Sequence, residues 1–102
     1  MKQYNKLVRD KIPEIIEKSG RRLEYEILTN ETYIAELDKK LDEEVSEYRE
    51  SRSLEELADI MEVIYALCES SGSSVKELEK VRKKKAGERG GFKNKIYLKY
   101  VE

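Results

Sequence analysis

Glu43-Glu44-Val45-Ser46-Glu47-Tyr48-Arg49-Glu50-Ser51-Arg52-Ser53-Leu54-Glu55-Glu56-Leu57-Ala58-Asp59 is the stretch whose reading decides the fold. It divides at Ser51-Arg52-Ser53, and both halves have helical character. Residues three apart on a helix are neighbours, with Cβ atoms roughly 5–6 Å apart. Glu44 and Glu47 therefore make one carboxylate pair, and Glu56 and Asp59 make a second. A short connection favours antiparallel helices, which lets the two pairs face each other. Four carboxylates in one place repel unless a cation holds them together.

A helical wheel of about 100° per residue sharpens this reading. Glu56 shares an arc about 60° wide with Ile60, Val63 and Leu67. Leu54, Met61, Ile64 and Cys68 cover the opposite part, so the segment is apolar nearly all round, as in a helix buried among others. A carboxylate in such an arc must be protonated, paired or bound to metal. Asp59 sits beside Val63 and Ala66 and is a poor interior helix former. A plainer account is also open. Ser53-Leu54-Glu55-Glu56 has the form of a capping box, in which Glu56 would bond back to the Ser53 amide.

Outward from this stretch, the rest of the chain reads mainly as helix. Asp10 is positioned as an N-cap, Pro13 fits the first turn, and Ile12, Ile15 and Ile16 supply an apolar face that Gly20 closes. Leu23-Glu24-Tyr25-Glu26-Ile27 alternates with period two, as a short strand does. Thr29-Asn30 caps a long helix over about Glu31 to Glu50, with Ile34, Leu37, Leu41, Val45 and Tyr48 as its buried stripe. Lys40 lies one turn before Glu44 and reaches toward the same place. The next helix runs from Leu54 to about Ser70. Ser74-Val75-Lys76-Glu77 is another capping box and opens a helix that ends near Gly87. Glu88-Arg89-Gly90-Gly91-Phe92 makes a turn whose amides can form an anion nest. Ile96 to Val101 closes the chain as a strand that can pair with Leu23–Ile27, giving a two-stranded ribbon that needs helices packed on it.

Composition sets limits. A chain of 102 residues is one domain long, spanning 1–102, and carries 42% charged and only 38% hydrophobic residues. That leaves a thin core for a lone copy and points to a homodimer or a larger symmetric oligomer. Net charge is −1, yet acids dominate from Glu31 to Glu69 and bases from Lys76 to Lys99. An acidic centre beside a basic arm suits a divalent cation with a polyphosphate, and equally suits salt bridging between helices. Histidine is absent, which removes imidazole sites and leaves oxygen ligands, hence Mg²⁺ or Mn²⁺. The single Cys68 makes no intrachain disulfide, and with no visible signal segment the expectation is a cytoplasmic protein. No apolar run approaches the ~20 residues of a membrane span. Arg82-Lys83-Lys84-Lys85 lacks interleaved aromatics, which disfavours nucleic acid as a partner.

These residues resemble a known superfamily. Glu43-Glu44-x-x-Glu47 followed by Glu56-x-x-Asp59 is similar to the metal motif of the all-α nucleoside triphosphate pyrophosphohydrolases, the MazG-like group that includes the phosphoribosyl-ATP pyrophosphohydrolases. Tyr4-Asn5-Lys6-Leu7-Val8-Arg9-Asp10-Lys11-Ile12-Pro13 and Arg89-Gly90-Gly91-Phe92 resemble small stand-alone members of it. The resemblance implies a helical bundle completed by oligomerisation, with Mg²⁺ in the acidic cluster. It also implies cleavage of a nucleotide between the α and β phosphates, giving a monophosphate and pyrophosphate. Carried over by position, Glu44, Glu47, Glu56 and Asp59 would be metal ligands. Glu43 would orient or deprotonate water, and Lys40, Arg89 and Lys93 would hold phosphates. Two features depart from the pattern. Only Tyr48–Glu55 separates the acidic parts, and Val63-Ile64-Tyr65 stand where the phosphoribosyl-ATP enzymes carry a histidine. House-cleaning of surplus or non-standard nucleotides is the activity expected; the alternative is a non-catalytic nucleotide-binding or regulatory module.

Overall fold

The computed structural model describes residues 2–102 and is all-α: four helices, and no strand among those residues. They are α1 (Ile12–Lys18), α2 (Asn30–Ser51), α3 (Leu54–Ser70) and α4 (Val75–Arg89). Hydroxyl side chains start the last three. Thr29 accepts from the Thr32 amide at 3.3 Å, Ser53 from the Glu56 amide at 3.3 Å, and Ser74 from the Glu77 amide at 3.1 Å. Each hydroxyl satisfies one of the amides that a helix start leaves without an intrahelical partner.

The link between α2 and α3 is only Arg52-Ser53. Arg52 closes α2 in the left-handed region at φ 55° and donates its amide to the Tyr48 carbonyl at 2.7 Å. Ser53 then returns to extended backbone and caps α3. So tight a reversal lays α3 back along α2, and the pairing of these two helices is the main packing of the molecule. The apolar stripes meet there. Leu37 is 3% exposed and Val63 7%, while Leu41, Val45, Tyr48, Ile60 and Leu67 are half-buried.

Little else is covered. α4 packs on α3 more sparingly, and no Cα of α1 comes within 8 Å of another helix. The radius of gyration is 18.0 Å, against about 13 Å for a compact chain of this length. Leu54, Leu57, Met61 and Ile64, the arc of α3 opposite Glu56, remain exposed.

Several expectations need correction. Neither Leu23–Ile27 nor Ile96–Val101 forms a strand. Alternation makes a strand only when one face is buried, and here Tyr25, Ile27, Ile96, Tyr97, Leu98, Tyr100 and Val101 are all exposed. Asp10 is not a cap: α1 starts one residue later, with Lys11 at the N-cap and no side-chain bond there. α4 continues through Gly87 to Arg89 and ends at Gly90, whose φ of 81° suits glycine. A single interior glycine costs a helix about 1 kcal/mol, too little to end it.

Candidate metal centre

Glu44 and Glu47 lie on α2, one helical turn apart; Glu56 and Asp59 occupy the start of α3. The tight link brings these segments together. One carboxylate oxygen from each of Glu44, Glu56 and Asp59 lies within 4.8 Å of the others. Glu47 is exposed and stands outside that trio, though near enough to raise the pKa values of Glu44 and Glu56. The structure thus groups three of the four predicted ligands and leaves the fourth at the rim.

Glu44 is 6% exposed, the one buried charged residue among those described. Lys40 approaches its Oε1 at 3.5 Å, but Oε2 is buried without a partner, as is Oε2 of Glu56. The capping account of Glu56 therefore fails. Ser53 does accept from the Glu56 amide, but its own amide donates to Ser51 Oγ at 3.3 Å. The Glu56 carboxylate is left for the interior.

Burial and negative neighbours have the expected effect. The Glu56 carboxyl is pushed up to about 7, first by desolvation, then by Glu47 and by the neighbouring Glu44 carboxyl, with Asp59 adding a smaller push. Glu44 is also raised, chiefly by burial and then by Glu47, with Lys40 opposing. Among the described residues no donor reaches the buried Oε2 atoms of Glu44 and Glu56. An all-oxygen set with unpartnered buried acceptors fits a hard divalent cation.

Around this group lies a ring of cations. Glu43 Oε1 receives Lys6 Nζ at 3.2 Å and its Oε2 receives Lys40 Nζ at 3.6 Å. Asp59 Oδ1 receives the Arg9 guanidinium at 2.6 Å. Lys40 thus stands where its spacing placed it. Arg89 and Lys93 make no ion pair or hydrogen bond to the acidic residues among those described, and both are exposed. Of the basic run, Arg82 is engaged by Glu79 at 3.0 Å. Sequence reasoning missed Lys6 and Arg9 as parts of the site. Both lie in the opening decapeptide, but neither periodicity nor spacing ties that segment to residues so distant in the chain.

Two shallow depressions lie elsewhere. One is lined by Tyr33, Ile34 and Glu69, the other by Cys68, Leu78 and Val81, and neither includes the acidic group. No helix is long and apolar enough to cross a membrane among the described residues.

No protein-family model matches the chain, and no solved structure matches it. It is 56% identical over 43 residues, 42% of its length, to a protein of Mycolicibacterium smegmatis described as uncharacterized. The chain spans less than half the length of that curated relative, 44% in the match.

Proposed function

We propose that this chain is a Mg²⁺-dependent nucleotide pyrophosphohydrolase of MazG type, releasing pyrophosphate from a nucleoside triphosphate in a house-cleaning role. One observation carries the reading: the buried, unpartnered Oε2 of Glu44, set within 4.8 Å of like-charged oxygens from Glu56 and Asp59. A buried acceptor atom left without a donor costs about 1–3 kcal/mol, and more on a charged group. A dication offsets that cost, and Mn²⁺ satisfies the same ligands.

Glu44, Glu56 and Asp59 would hold the ion, with Glu47 reaching in from the rim. When bound, it would lower the pKa of a coordinated water and neutralise charge on the phosphates. Glu56 must give up its proton to serve. Glu43, held by Lys6 and Lys40, is fixed beside the ligands and there orients the attacking water. Lys40 places a positive charge against both Glu43 and Glu44. Arg89 and Lys93 would reach a phosphate tail only across a larger assembly. The uncovered apolar arc of α3 supports a homodimer or homotetramer.

The decisive experiment is a nucleotide panel with Mg²⁺, scored for pyrophosphate against single phosphate. Activity should vanish with chelator and in Glu44→Gln; if no nucleotide yields metal-dependent pyrophosphate, the enzyme reading fails. A non-catalytic binding module is the second reading. The double ion pairing of Glu43 favours it, because a lysine already stands against each of its two oxygens, leaving neither free for an attacking water. Nucleotide binding by calorimetry without turnover would establish it.

A further inference from the structure

Among the described residues, two side-chain hydrogen bonds join positions more than six apart in sequence, and both come from one short segment. Lys6 reaches Glu43 and Arg9 reaches Asp59, 37 and 50 residues along the chain. Between them Leu7 is half-buried, and Asn5 turns the backbone at φ 45°. α1, which follows, touches no other helix. The segment is thus laid across the acidic group and held there by its two cations. Both are accessible, with 44% of the Lys6 and 56% of the Arg9 side chain exposed. Ion pairs this exposed are weak because water screens them, so the segment can exchange partners at small cost.

We propose that Asn5–Arg9 is a phosphate-gripping strap: Lys6 and Arg9 hold Glu43 and Asp59 in the metal-free chain and transfer to the phosphates of a metal-bound polyphosphate. This rests on the reading of Glu44, Glu56 and Asp59 as a dication site, which the unpartnered buried Oε2 of Glu44 supports independently of the strap. The Arg9 guanidinium on Asp59 Oδ1 competes with a metal for the charge of that carboxylate. Once a dication takes Asp59, Arg9 loses its counter-charge at the place where the phosphate oxygens on that ion would lie. Lys6 can leave Glu43, which Lys40 still holds, for the same oxygens. Arg9 offers a planar fork matched to phosphate, and Lys6 a point charge beside it.

The test uses the full chain and two probes, Mn²⁺ alone and inorganic tripolyphosphate at saturating Mn²⁺, both followed by calorimetry. In Lys6→Ala/Arg9→Ala, Mn²⁺ should bind as tightly as in wild type or a few-fold tighter, because a competing cation has gone. Tripolyphosphate should bind at least tenfold more weakly. Arg9→Lys, which keeps the charge, should lie between, and Lys84→Ala/Lys85→Ala should change tripolyphosphate binding less than twofold. Tripolyphosphate affinity within twofold of wild type in the double variant overturns the strap while leaving the metal site standing. Weakened Mn²⁺ binding overturns it as well, since Arg9 would then be a support for Asp59. A wild-type chain that takes up no Mn²⁺ refutes the metal reading itself, and the strap with it.

Discussion

Glu44 on α2 and Glu56 on α3 each hold a carboxylate oxygen buried where nothing donates to it, and the two carboxylates bring oxygens within 4.8 Å of each other. That juxtaposition of like charges is unfavourable for the isolated chain, and it is specific enough to yield measurable consequences.

Stability of the metal-free protein should fall as the pH rises. The folded-state pKa of Glu56 is about 7, above its ordinary 4.5, so folding favours the protonated form. The associated stability is fully present below about pH 4.5 and is lost as the pH passes through about 7. Glu44 is shifted in the same direction. Thermal melts in chelator between pH 4.5 and 8 should show this decline, and Glu56→Gln should flatten it. A melting temperature that rises across that window would contradict a raised Glu56 carboxyl.

Glu44→Gln should separate folding from metal binding. An amide removes one buried charge and can donate to Glu56, so urea unfolding in chelator should show stability unchanged or higher by about 1 kcal/mol. Mn²⁺ affinity, read by calorimetry, should drop at least tenfold. Loss of stability with metal affinity intact would mean that Glu44 serves packing alone.

Ser53→Ala removes the hydroxyl that accepts from the Glu56 amide. Loss of such a cap costs about 1 kcal/mol, which urea unfolding will read. Because the frayed turn carries Glu56, metal affinity should fall with it. Ser74→Ala, at the start of α4, should cost similar stability and leave metal affinity unchanged.

Met61 is 50% exposed at the centre of the uncovered arc of α3. A charge there should disrupt any assembly that buries this face. Sedimentation equilibrium should give at least twice the chain mass for wild type and a single chain mass for Met61→Glu. Equal masses for the two proteins would leave this arc without a partner copy.

How far the sequence could be read depended on whether the deciding physics was local. Ser53 and Ser74 are caps because a hydroxyl and the amide three residues on are covalently close, and both were legible. So was the inward side of α3, since Glu56 lies in the same 60° arc as Val63, a matter of helical phase at about 100° per residue. The strand expectation at Leu23–Ile27 went astray because alternation marks a face without supplying the surface that would bury it. Lys6 and Arg9 escaped notice for a related reason. Ion pairs 37 and 50 residues apart are set by the path of an irregular segment, and irregular segments carry no period.

The two-residue connection at Arg52-Ser53 has a consequence for how this chain can change length. One residue inserted between Glu44 and Arg52, or between Ser53 and Glu56, would swing one acidic pair about 100° away from the other. Insertions before Asn30 or beyond Ser70 leave that angle untouched. Homologues of different size should therefore differ mainly at the ends, and any change in the count from Glu44 to Asp59 should come in whole helical turns, because that phase is what aims the carboxylates at one another.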